Sequence, residues 1–89
     1  MSAIGPMMRI EIGRCTKMGY IIDTEGEVLP GDITEWGRQF VLITKDKRAE
    51  RLVYEDVVEY GNSRYYIYDN TMRTEDGERV HYVEGHLLC

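Results

Sequence analysis

Apolar and polar residues alternate with a period of two along most of the chain, which predicts strands rather than helices. Met8, Ile10 and Ile12 alternate with Arg9 and Glu11, so a short first strand is expected there, ended by Gly13 and preceded by a flexible leader over residues 1–7. Met18 to Thr24 is the next predicted strand, and Glu25-Gly26 supplies its turn because glycine takes positive φ without steric cost. Glu27 to Glu35 returns from that turn, bent at Pro30-Gly31, where proline removes a ladder donor. After a break at Gly37, Gln39 to Lys45 is nearly all apolar and predicts a strand buried on both faces. Asp46-Lys47-Arg48 is expected to turn the chain into a short strand over Arg51–Tyr54, and Val57–Tyr60 is expected as another after Glu55-Asp56. Gly61-Asn62-Ser63 predicts a loop before the strand Arg64–Tyr68, and Asp69-Asn70-Thr71 a further break. Asp76-Gly77 predicts a final hairpin between Met72–Thr74 and Arg79–Val83, with His86 to Cys89 as a tail. No segment has helical periodicity, although Glu50–Glu59 admits one irregular turn. Seven or eight short strands at this spacing predict an all-β small barrel with an added C-terminal hairpin, as one domain over residues 8–89.

Composition changes this picture little, but charge sharpens it. The chain has 89 residues, 43% hydrophobic and 30% charged, which is ordinary for a globular domain and leaves little room for a deep catalytic cleft. Its net charge is -5. Residues 1–51 carry eight acids and eight bases, whereas residues 52–89 carry eight acids and three bases, so the negative excess is C-terminal. A globally basic nucleic-acid binder is thereby excluded, while a local basic patch is not. Two cysteines form no disulfide framework, and no stretch has the form of a signal peptide or of a membrane span. A cytoplasmic protein without membrane contact is expected.

Residues 20–60 carry a family resemblance. Ile21-Ile22-Asp23-Thr24-Glu25-Gly26-Glu27-Val28-Leu29-Pro30-Gly31-Asp32-Ile33 is a strand, glycine turn and strand with a second glycine at the bend. Trp36-Gly37-Arg38-Gln39-Phe40-Val41-Leu42-Ile43 follows, and then Leu52-Val53-Tyr54 with Glu55-Asp56-Val57-Val58. This resembles the Sm-like family, and bacterial Hfq within it. The resemblance implies a strongly bent barrel, of the Sm-like or SH3-like kind, that assembles into a homo-oligomeric ring by strand pairing. It also implies binding of RNA or nucleotides, with Gln39, Phe40 and Tyr54 lining a base pocket. The chain departs from the family at Tyr54-Glu55-Asp56, where Hfq has a tyrosine–lysine–histidine triplet. In a ring these carboxylates would face the pore and repel polyanions.

Other candidates come from the residues themselves. Trp36, Phe40 and Tyr54 suit either a core or a base-stacking platform, and Arg38, Lys47 and Arg48 suit phosphate contacts or a solvated hairpin tip. Tyr65, Tyr66 and Tyr68 place two side chains on one sheet face and one on the other. Together with Glu75 and Asp76 they suit the alternative function, a protein-interaction module or phage-type inhibitor that engages a basic protein partner. Cys15, His81, His86 and Cys89 lack the Cys-x-x-Cys spacing of a structural zinc site, so no metal and no cofactor are expected. No acid/base pair, phosphate-binding glycine loop or nucleophile motif is present, and a non-enzymatic binder of RNA or nucleotides is the expected function.

Overall fold

A computed structural model describes residues 15–88. The predicted strand over Met8–Ile12, the leader and Cys89 lie outside the described residues. Six strands, β1 (Cys15–Ile22), β2 (Val28–Trp36), β3 (Gln39–Thr44), β4 (Val57–Tyr60), β5 (Ser63–Glu75) and β6 (Glu78–Leu87), pair antiparallel in the ring order β1-β2-β3-β6-β5-β4. The all-β barrel expected from the period of two is the fold of the chain. Closure between β4 and β1 rests on the single pair Ile22↔Glu59 among the described residues. No helix there is long and apolar enough to cross a membrane.

Alternation decides what goes inside. Ile21, Leu29, Ile33, Phe40, Leu42, Val58, Ile67 and Val83 are fully buried and form the core with Ala49, Leu52 and Tyr65. β3 does not bury both faces as expected. Phe40, Leu42 and Thr44 point inward, while Gln39, Val41 and Ile43 are half-buried on the outer face. Phe40, Tyr60 and Tyr65 pack around one end of the barrel, Phe40 against Tyr65 edge-on at 4.9 Å. Gly85, opposite Phe40, has no room for a side chain, since a Cβ there would lie 2.6 Å from Phe40 Cε2.

Three local readings are corrected. The segment expected as a strand at Arg51–Tyr54 is instead the end of a 3-10 turn, Lys47–Arg51, followed by irregular backbone. The Asp46 side chain caps that turn by accepting from Arg48 N, and Asn70 Nδ2 donates to the carbonyls of Ala49 and Leu52. Those three hydrogen bonds satisfy groups that a strand would have paired in a ladder. Asp69-Asn70-Thr71 is not a break, because β5 runs through it with a bulge between Ile67 and Asp69 that leaves Tyr68 as the extra residue. His86 and Leu87 are not a tail but the last rungs of β6, His86 paired to both β3 and β5 and Leu87 to β5. The arm of β6 from His81 onward is barrel wall, paired to β3 and β5, whereas residues 71–79 are all exposed and pair only within the hairpin, which turns at Asp76-Gly77, both of positive φ.

Arg48 is fully committed within this framework. Its guanidinium donates to Asp46, to Glu27 and to the Val28 carbonyl at 2.7–3.0 Å. Those bonds to Asp46, with the Arg48 amide, hold the Asp46 carboxyl down at about 2. A carboxyl depressed in the folded state stabilises it fully above about pH 4 and loses that contribution as pH falls towards about 2. Urea midpoints measured between pH 5 and 2 should therefore fall more steeply for the native chain than for Asp46→Asn. Parallel curves would show that the pair contributes nothing.

A cross-strand row as the candidate nucleic-acid interface

The turn between β2 and β3 contains only Gly37 and Arg38, so Trp36 pairs directly with Gln39. Directly opposed residues share a face. Gln39 in turn pairs with His86, and His86 with Tyr66. Four adjacent strands thus present Trp36, Gln39, His86 and Tyr66 as one row on the outside of the barrel. Gln39 Nε2 lies 3.1 Å from His86 Nε2, and Tyr66 Oη lies 3.5 Å from His86 Nδ1. With the amide nitrogen donating, His86 Nε2 accepts and the ring proton sits on Nδ1, towards Tyr66. Tyr68 packs edge-on against the same imidazole at 4.1 Å and donates to Glu84 at 2.5 Å. That hydrogen bond to Glu84, more than burial, pushes the Tyr68 hydroxyl up to about 12.

The row borders an open groove of about 670 Å³ lined by Trp36, Gly37, Arg38, Gln39, Tyr66, His86 and Leu87. Trp36 is 56% exposed although it is the largest side chain in the protein. The groove offers flat rings for stacking, an amide for hydrogen bonding that the His86 ring holds in place, and a guanidinium from Arg38 at its rim. Nucleobases match this set, since each base has a π-face and a polar edge. A second hollow, of about 490 Å³, has Met18, Pro30, Ile43 and Val80 among its walls and no aromatic ring.

The remaining predicted residues fall elsewhere. Phe40 is fully buried and cannot stack on a ligand, so Gln39, Phe40 and Tyr54 do not form a common pocket. Tyr54 is exposed in the turn after the 3-10 segment. Glu55 takes φ 76° there and donates its amide to the Ile67 carbonyl, while the Asp56 carboxylate accepts from Val53 N. Lys47 and Arg48 belong to the 3-10 turn beyond Thr44, at the opposite end of β3 from the row. Tyr65 points into the core, whereas Tyr66 and Tyr68 point out. Glu75 accepts from Tyr82 at the hairpin tip, next to Asp76. His81 is buried opposite Thr44, on the inner face, so it does not meet the outward-facing His86. Cys15 opens β1 opposite Glu35. His86 and Tyr66 are the row members that no motif singled out as ligand-binding, because His86 pairs with Gln39 across 47 residues of sequence and Tyr66 joins the row only through His86. No family model, curated protein or solved structure matches the chain.

Proposed function

We propose that the protein is a non-enzymatic module that binds RNA or small nucleotides on the outer barrel face through Trp36, Arg38, Gln39, Tyr66 and His86. The observation that carries this function is the register itself, which lines up two stacking rings with an amide and an imidazole between them. Of the base-pocket residues that the Sm-like resemblance implies, the site keeps Gln39 alone. Self-association through strand edges belongs to the same proposal, and the flank of β1 is its place, since a single pair joins β1 to β4 among the described residues. Capture of a basic partner by the hairpin tip is less well supported. Glu75 is engaged by Tyr82, and Glu78 pairs with Lys45 at 2.5 Å.

Trp36 is the only tryptophan, so intrinsic fluorescence reports on this site directly. Titration with a short single-stranded oligonucleotide should quench the emission saturably, and added salt should weaken binding. Sedimentation of the same samples reads the number of chains per complex. Unchanged emission up to millimolar ligand would rule the site out.

A further inference from the structure

We infer that the ligand is a single strand of nucleic acid at least two nucleotides long, laid across β2, β3, β6 and β5, with Arg64 joining Arg38 on its phosphates. The inference rests on the base-binding function proposed above and selects a polymer over a mononucleotide.

Length follows from strand spacing. Trp36 and Tyr66 stand three strands apart in one row, so roughly 14 Å separates them at about 4.8 Å per strand. Stacking requires contact at about 3.5–4 Å, so one base cannot cover both rings. Two bases, one over each ring, leave the Gln39 amide between them to meet a polar edge.

Polarity follows from the two arginines. Leu87 N donates to the Arg38 carbonyl at 2.7 Å, and Leu88 N donates to the Arg64 carbonyl at 2.8 Å. Consecutive amides at the end of β6 therefore bring the two arginine backbones to the same end of the row, one on each side. Arg64 lies two residues before Tyr66 on β5, so its side chain shares the outer face. It is exposed and forms no ion pair among the described residues, although Glu59 sits opposite on β4. A phosphodiester that links two bases is the ligand group that places negative charge beside the rings. The nearest outward carboxylate on β6, Glu84, is held by Tyr68.

The test uses the full chain and fluorescence anisotropy with labelled probes of one, two, four and eight nucleotides, as RNA and as DNA. Affinity should rise at least about tenfold from the mononucleotide to the tetranucleotide, because the second ring and the linking phosphate engage only in the longer ligand. Single-strand phosphate contacts change the log–log salt slope by about 0.7 each, so Arg64→Ala should lower the slope by roughly that amount. Arg64→Lys should restore the slope. Circular dichroism checks that each variant folds. Preference for RNA or for DNA supports the inference equally, since rings and phosphates occur in both. Equal affinity for one and eight nucleotides, tighter binding of a duplex, or a slope indifferent to Arg64→Ala would overturn it while the Trp36 quench stood. Absence of any quench would remove the underlying function as well.

Discussion

Phe40→Ala is expected to destabilise the protein by about 3–5 kcal/mol, the usual cost of emptying a fully buried aromatic site. Phe40 is fully buried, touches Tyr60 and Tyr65, and lies over Gly85. Neighbours cannot collapse easily into the space, because Gly85 has no side chain to move and the two tyrosines are held from other strands. A small domain has only about 5–15 kcal/mol to lose, and one kcal/mol shifts its Tm by about 4–8 °C. The melting temperature followed by circular dichroism should therefore drop by roughly 15 °C or more. Trp36→Ala, by contrast, removes a side chain that is already more than half exposed and should leave the melting temperature within a few degrees. A Phe40→Ala protein that melts like the native chain but no longer binds nucleic acid would show that the ring is reachable by ligand after all.

The contrast between these two aromatics also shows what could be read from the sequence. That Gln39 onward forms a strand was legible, although not that only one of its faces is buried, and so was the Asp76-Gly77 hairpin, because both depend on residues close together in the chain. The face taken by Trp36 relative to Phe40 depends on the length of the turn between their strands. With two turn residues, Trp36 faces out with Gln39 while Glu35 pairs with Phe40. A third residue there would have reversed the assignment. His86 was unreadable for a different reason: it joins the row only through long-range pairing of β6 with β3 and β5, and a terminal stretch of chain gives no hint of such partners. The Tyr68 bulge likewise belongs to the pair of strands rather than to either one. At Leu52-Val53-Tyr54 the apolar pattern misled, since only Leu52 is buried and the Asp46 cap had already committed the chain to a 3-10 turn.

Gly31→Ala should be as damaging as Phe40→Ala, for a steric reason that hydropathy does not carry. A Cβ at Gly31 would sit 2.5 Å from the Ile43 carbonyl oxygen, 2.8 Å from Leu42 Cδ1 and 3.0 Å from Thr44 Cβ. The nearest of these is backbone, so no rotamer change relieves the clash and β2 must move away from β3. That movement also strains the hydrogen bond from Thr44 Oγ1 to the Pro30 carbonyl, at 2.7 Å. Pro30 tolerates its place because the pairing of β2 with β3 begins only at Asp32↔Ile43, leaving the backbone of residues 28–30 laddered to β1 alone. Overpacking of a fixed site costs about 1–3 kcal/mol and more where backbone is the obstacle, so a loss of about 3 kcal/mol or more is expected. Gly19 is the internal control. It pairs with Gly31 across β1 and β2, but a Cβ there meets the flexible end of Ile33 at 3.3 Å. Gly19→Ala should therefore stay within about 1 kcal/mol of the native chain in urea unfolding, since a methyl end can shift where a carbonyl cannot. Equal midpoints for the two variants would mean that the close approach of β2 to β3 at Gly31 is not what shapes this end of the barrel.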